Sequence, residues 1–300
     1  MKYSKTICKL SVLCNKTTYM YKLILLSLLL PVIGFAQDKK VERKILNTSG
    51  LVAFWDFNPD ENNSKQSRGK VVVKMREGTT KKVSIINEGP LSGYSASFEG
   101  DNFLYIPYNK TGELNIQCNT VSVIAWIKWK DLNHSFIAGM WNEGTYGGKR
   151  QYGLFVSLPY YNGMNQVCGH ISKTGKPTSP FPFSIDYSAS KQCVPKNKWC
   201  CVAFTYDGNY IKSYLNGIFA FREPELINNT KGFPGFPDGL VTSKNPYYFP
   251  YGIGDNGSDF TVGAVMLKNG MGNFFKGLIG GIAIYNRALT DDELLKIGSL

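Results

Sequence analysis

The chain has 300 residues, with 34 Lys and Arg against 22 Asp and Glu, a formal net charge of +12 and only two histidines, His134 and His170. At 43% hydrophobic, 14% aromatic and 19% charged it can bury a sizeable core, which excludes a disordered chain, and two histidines exclude a histidine-rich metal cluster. Its 31 glycines follow no collagen repeat and read as turns between many short strands.

Residues 1–36 carry Lys2, Lys5, Lys9, Lys16 and Lys22 and no acidic residue. An apolar run of 11 residues, Leu23–Ile33, follows and is too short to span a bilayer. It ends in Gly34-Phe35-Ala36 before Gln37, the small-x-small exit of a secretory signal peptide, with Met20 as an alternative start. Export to the periplasm, the cell surface or the extracellular space is therefore expected. Gln37, and not a cysteine, directly follows the cleavage point, so a lipid anchor is not expected, and no transmembrane segment is expected after cleavage. Removing the five leader lysines lowers the balance from +12 to +7. The remaining basic residues are scattered and form no recognised module, so nucleic acid is not an expected partner. Five cysteines stay in the mature chain, Cys118, Cys168, Cys193, Cys200 and Cys201. Export predicts one or two structural disulfides among them, with at least one thiol unpaired and the connectivity open.

Residues 37–48 are polar and read as a short leader. Strand signals begin at Leu51–Phe57 (LVAFWDF). Val121–Trp129 alternates, with Val121, Val123, Ala125, Ile127 and Trp129 on one face and Ser122, Ile124, Trp126 and Lys128 on the other. In Trp199–Phe221, Asp207-Gly208 and Asn216-Gly217 each separate alternating apolar runs, which predicts a three-stranded meander. Shorter β-runs are Ser95–Phe98, Phe103–Ile106, Ser135–Met140, Tyr152–Ser157, Thr261–Met266 and Phe275–Tyr285. Thr290 with Glu293 three residues later forms a capping box for one short C-terminal helix, and Asp291 and Asp292 suit its positive end. There is no βαβ alternation. The pattern predicts an all-β fold over residues 49–300: two antiparallel sheets in a jelly-roll β-sandwich, closed by that helix.

Four segments, in order, resemble the LamG-like jelly roll of the concanavalin A-like lectin and glucanase superfamily. They are GLVAFWDFNPDE at Gly50–Glu61 and SASFEGDNFLYIPYN at Ser95–Asn109 leading into TVSVIAWIKW at Thr120–Trp129. The third is the meander with Trp199, Val202, Ala203, Thr205, Tyr206, Asp207 and Gly208, then Tyr214, Asn216 and Gly217. The fourth is FKGLIGGIAIYNRALTDDEL at Phe275–Leu294. The resemblance spans nearly the whole mature chain and implies the concanavalin A-like sandwich. Trp126, Trp199, Tyr206 and the Asn-Gly turn are read as packing residues, and a fold alone assigns no function.

Retaining glycosidases of this superfamily resemble one another in E-x-D-x-x-E or E-x-D-x-E on one strand, because two carboxylates must flank a sugar about 5–5.5 Å apart. None of the ten glutamates stands in such a pattern, and Glu223-Pro224-Glu225 is interrupted by proline. Jelly-roll lyases resemble one another in a His, Tyr, Arg and Gln or Asn set; His134, His170 and Arg150 are available, without a surrounding motif. The resemblance also implies a structural calcium, and Glu99, Asp101 and Asn102 occupy its first region. On the closing strand, where the family usually reads G-x-I-D-E, Gly280 stands in place of the carboxylate. An incomplete or absent calcium site is expected, and no cofactor is required.

Three long segments, Trp141–Asn165, Ser172–Tyr187 and Phe233–Asp259, are rich in aromatic residues, Gly and Pro. An exposed ring offers an apolar face to the C–H side of a pyranose, while Asn, Asp and Arg bond its hydroxyls. Trp141, Tyr146, Tyr160, Tyr161, Tyr247, Tyr248 and Tyr251 are the carbohydrate-binding candidates, with only a few rings expected at the surface and the others forming a small core. The expected function is non-catalytic binding of a glycan or polysaccharide, and the positive balance suits an acidic one. The alternatives are a polysaccharide hydrolase or lyase whose site is assembled from distant residues, and a structural or adhesive exported protein.

Overall fold

The computed structural model describes residues 40–59, 63–130, 134–144, 148–159, 162–179, 183–227, 240–242 and 244–299, the side chains of 225–227 and 240–242 apart. The predicted leader residues 1–36 therefore lie outside the described residues. Alternation organises the centre. Val121, Val123, Ala125, Ile127 and Trp129 enter one buried cluster, while Ile124 and Trp126 enter a second on the opposite side. The strand predicted to be half buried is covered on both faces.

Strands are numbered in chain order. The larger sheet has nine strands, all named pairs antiparallel. Its path runs β13 (Ile218–Phe219), β12 (Tyr210–Leu215), β11 (Trp199–Tyr206), β6 (Val121–Trp129), β20 (Lys276–Tyr285), β4 (Ser95–Glu99) and β3 (Ser84–Ile86). Off this path β1 (Leu51–Trp55) pairs with β20 and β16 (Tyr247–Tyr248) with β12. The second sheet has seven strands in the order β10 (Tyr187–Cys193), β9 (Gly163–Ile171), β8 (Tyr152–Leu158), β7 (Ser135–Met140), β17 (Phe260–Val262), β5 (Leu104–Ile106) and β2 (Arg76–Glu77). Two hairpins, β14 (Glu225–Ile227) with β15 (Leu240–Thr242) and β18 (Val265–Leu267) with β19 (Gly270–Gly272), stand apart. The main core combines inward residues of both sheets, among them Val123, Ile127, Phe204 and Ile282 from the nine-stranded sheet and Leu154, Val156, Val167 and Val262 from the other. The expected meander is present as β11–β12–β13. Its second turn has Asn216 at φ 53° and Gly217 at φ 74°, the left-handed pair a two-residue hairpin requires.

The outer face of the nine-stranded sheet is closed by helices. The predicted C-terminal helix spans Asp291–Gly298, with both halves of the Thr290–Glu293 capping box formed. Glu293 also takes a two-pronged contact from Arg287, at 2.8 and 2.6 Å. That contact, with the bonds from Thr290, holds its carboxyl down to about 2. Leu294 and Ile297 pack on Trp126, Tyr214 and Tyr285. Where the sequence reads as a polar leader, residues 40–47 instead form a helix. Its Ile45 is fully buried in the same cluster, and the Tyr285 hydroxyl donates to the Ile45 carbonyl at 3.0 Å. The helix depends on this tertiary packing, because eight residues with one narrow apolar stripe do not hold a helix alone.

The expected disulfides are not formed. All five described cysteines are free thiols, Cys118 and Cys193 exposed and the other three buried. Neighbours on a strand point to opposite faces, so Cys200 enters the inter-sheet core and Cys201 the helix-covered face, while Cys168 lies in a third cluster on the far side of the other sheet. Burial pushes the Cys168 and Cys200 thiols up to about 12. Of these five, a thiol reagent on the folded protein is expected to label Cys118 and Cys193 and to reach the remaining three only on unfolding. Two cysteines that stay unlabelled in denaturant without reductant would show a bridge instead.

Candidate functional site

The tyrosine candidates are positioned from the end of β12. Asn245 is fully buried; its side-chain oxygen accepts from the Ser213 N–H at 2.8 Å, and its amide donates to the Ser213 and Ala220 carbonyls, each at 2.9 Å. This clamp lays β16 along β12, with Tyr210 opposite Tyr248 and Ile211 opposite Tyr247. Period-2 alternation then sends Tyr247 into the core, 8% exposed, and Tyr248 outward, 56% exposed. The Tyr210 ring, 41% exposed, lies 5.2 Å from that of Tyr248 at 51°.

The loops on either side are tied from within. Asp207 accepts the N–H groups of Asn209 at 2.9 Å and Tyr210 at 2.7 Å. The Tyr206 hydroxyl lies 2.8 Å from the Gly208 carbonyl and 2.7 Å from the Phe249 carbonyl, and accepts the Gly252 N–H at 3.0 Å. Tyr251, 57% exposed, meets the buried Phe249 edge-on at 5.2 Å. Tyr210, Tyr248 and Tyr251 thus present rings from anchored backbone. Tyr210 was absent from the candidates; its signal is the turn at Asp207-Gly208, which begins a strand whose Tyr210, Lys212 and Tyr214 share one face.

Trp141 sits elsewhere and is not exposed. It belongs to a buried cluster on the outer face of the seven-stranded sheet with Phe136, Phe155, Cys168, Tyr187, Ala189 and Val265. Its indole donates to Glu143 at 2.9 Å, and its ring meets Phe155 at 5.8 Å and His170 at 4.9 Å. Register brings Tyr187 opposite His170, rings 4.8 Å apart. Arg150 lies over the Trp141 ring at 5.9 Å, donates to the Gly175 carbonyl at 3.0 Å, and stands 3.5 Å from Glu143. Burial first, then the charges of Arg150 and Lys244, hold the His170 imidazole well below its ordinary value. Burial pushes the Asp186 carboxyl up to about 6. Tyr146, Tyr160 and Tyr161 lie outside the described residues.

The calcium candidates are committed to other partners. Asn102, fully buried, accepts the Glu99 N–H at 2.9 Å and donates to the Lys82 carbonyl at 3.2 Å. Asp101 pairs with Lys81 at 2.9 Å, and Glu99 accepts from Ser97 at 3.1 Å. A side chain at Gly280 would begin 2.5 Å from Pro90 and 3.2 Å from the Trp199 ring, so the position of the family's carboxylate is filled by packing. Among the described residues no group of three or more His, Cys, Asp or Glu can hold a metal ion. These residues do not fit a six- to eight-oxygen calcium shell. Millimolar calcium is expected to leave the melting temperature unchanged; a clear rise would contradict this.

No family model matches the sequence, and no curated protein matches it. Solved structures do. Domain 4 of AbnA, a GH43 extracellular arabinanase from Geobacillus stearothermophilus solved in complex with arabinotriose, matches with a TM-score of 0.54 at 18% identity, over 83% of this chain and 98% of that one. The binding domain of botulinum neurotoxin DC, in complex with SialylT, matches with a TM-score of 0.52 at 13% identity, over 84% of this chain and 51% of that one. At these identities the likeness establishes the β-sandwich fold.

Proposed function

We propose that this chain is an exported glycan-binding protein that holds a polysaccharide on Tyr210, Tyr248 and Tyr251 without cleaving it. The observation that carries the reading is the exposed Tyr210–Tyr248 pair, 41% and 56% open to solvent on strands fixed by the Asn245 clamp. Large exposed rings grouped on rigid backbone mark an interaction surface, and a tyrosine combines an apolar face with a hydroxyl. The two similar structures, whose bound arabinotriose and SialylT are their own, support the same reading, as does the LamG-like resemblance of the sequence. The leader pattern of residues 1–36 supports export.

Cleavage needs two carboxylates across one sugar. Beside the buried Trp141 cluster, Glu143 accepts from the Trp141 indole and stands 3.5 Å from Arg150, so its carboxylate is engaged. This favours holding over cutting. The positive balance suits a polysaccharide with acidic groups, in which case binding weakens as salt rises.

Affinity electrophoresis through gels containing plant and bacterial polysaccharides tests the proposal. Retardation by at least one polysaccharide, lost on Tyr248→Ala and Tyr251→Ala without new reducing ends in the mixture, is the expected result. Retardation unchanged in both variants would remove these rings from the site, and new reducing ends would replace binding by hydrolysis.

A further inference from the structure

In the helix of residues 40–47, Lys40, Arg43, Lys44 and Asn47 stand at the three- and four-residue spacing that shares one face. With Lys296 of the C-terminal helix they line a groove of about 380 Å³ between the two helices, so four cations converge on it. Glu293, the carboxylate in the lining, is taken by Arg287 at 2.6 Å, and Glu42 of the first helix by Arg68 at 2.5 Å. Among the described residues no ion pair includes Lys40, Arg43, Lys44 or Lys296. Packing explains part of this. The Lys44 ammonium donates to the Lys296 carbonyl at 3.1 Å, and positive charge suits the last turn of the C-terminal helix. It does not explain Lys40 and Arg43, both exposed. Lys40 stands three residues from Arg43 and four from Lys44, spacings at which like charges destabilise a helix, and this helix already depends on tertiary packing. An anion in the groove relieves that repulsion.

The lining indicates what kind of anion fits. The groove has the volume of a small-ligand site and is concave, unlike the flat polybasic surface that meets a membrane. A guanidinium takes a carboxylate or sulfate through two N–H groups, and lysines add point charges. Asn47 offers an amide, and Thr48, whose hydroxyl donates to the Lys44 carbonyl at 2.7 Å, keeps an oxygen that accepts from a sugar hydroxyl. Four cations exceed what one carboxylate neutralises, so a ligand with several anionic groups along its length matches the groove best. The groove also lies on the side of the sheet that carries the tyrosines. Tyr214 shares the outer face of β12 with Tyr210 and Lys212, and its hydroxyl donates to Asp291 of the C-terminal helix at 2.8 Å. We propose that this groove binds the anionic groups of an acidic polysaccharide, a polymer bearing uronate carboxylates or sulfate esters, with Lys40 and Arg43 as its main charge contacts. The proposal rests on the glycan-binding reading but uses residues separate from the tyrosine surface.

Binding of the protein to immobilised polygalacturonate, dextran sulfate, arabinan and dextran tests this, at about 50 and about 300 mM salt. At least one of the two acidic polymers is expected to bind, more weakly at the higher salt. Lys40→Gln combined with Arg43→Gln should weaken that binding about five- to tenfold, the loss of two solvent-screened ion pairs, and leave binding to arabinan or dextran unchanged. Lys196→Gln combined with Lys198→Gln removes the same charge from the exposed turn between β10 and β11 and should leave acidic binding nearly intact. Melting curves confirm that both double variants are folded. Acidic polymers bound no better than neutral ones, an equal loss in both double variants, or adhesion to phosphatidylglycerol vesicles without polymer binding would overturn the proposal. The two sites fail separately. Polysaccharide binding untouched by Tyr248→Ala but weakened in the groove variant counts against the tyrosine surface alone. Neutral binding lost in Tyr248→Ala, with acidic polymers bound no better than neutral ones, counts against the groove alone.

Discussion

Polysaccharide affinity falls about 10- to 100-fold when Tyr210 and Tyr248 are both replaced by alanine, the loss expected of paired aromatic anchors at the centre of a binding surface. Tyr210 and Tyr248 face each other across β12 and β16, so a sugar lying on one ring reaches the other. The same change costs little folding energy. Both rings are substantially exposed, and a cross-strand pair contributes only about 0.2–1 kcal/mol. Neighbouring Tyr247 behaves differently: it is buried in the main core, and Tyr247→Ala opens a cavity worth about 3–5 kcal/mol, as for other large aromatic side chains. Binding assays paired with melting curves separate the two. An alanine pair at Tyr210 and Tyr248 that melts normally and binds normally would contradict the role given to these rings.

The second large effect is a gain. Asp186→Asn is expected to stabilise the protein at pH 7 by up to about 3 kcal/mol, since burial raises its carboxyl from 3.8 to about 6 and each pH unit of displacement is worth about 1.4 kcal/mol. An acid whose folded value lies above its unfolded value binds its proton more tightly when folded. Its penalty is therefore absent below about pH 4, grows between 3.8 and about 6, and is complete above that. Wild type and Asp186→Asn should melt together near pH 3.5 and diverge by several degrees at pH 7. A variant less stable than wild type at pH 7 would show that the ionised carboxylate is well served inside the fold.

The strands were legible where the signal is local. Asp207-Gly208 and Asn216-Gly217 marked the meander, the alternation of Val121–Trp129 marked the central strand, and Thr290 with Glu293 marked the closing helix. What escaped depends on contacts distant in sequence. Residues 40–47 are helical because Ile45 and its neighbours lie against Tyr285 and the C-terminal helix, some 240 positions away, whereas their own composition is polar. The cysteines stay apart because strand alternation and sheet pairing put Cys168, Cys200 and Cys201 on three different faces, which spacing alone does not reveal.

The candidate site was legible in kind and not in place. Aromatic-rich segments stood out, but only the register of β16 on β12 separates exposed Tyr248 from buried Tyr247. Tyr210 lay outside those segments and joins the surface through that pairing. His170 and Arg150 were noted for a catalytic set that lacked a motif. Both instead lie against Trp141, through the His170 ring at 4.9 Å and the Arg150 guanidinium at 5.9 Å, contacts that spacing does not reveal.

The central claim, that exposed tyrosines hold a glycan, is tested most directly by titrating a retarding polysaccharide's oligosaccharides into the ring-labelled chain and following the tyrosine NMR signals. Tyr210, Tyr248 and Tyr251 should shift together and saturate at one concentration, with Tyr206 and Tyr214 unmoved. Saturable binding that leaves all three fixed would contradict the account.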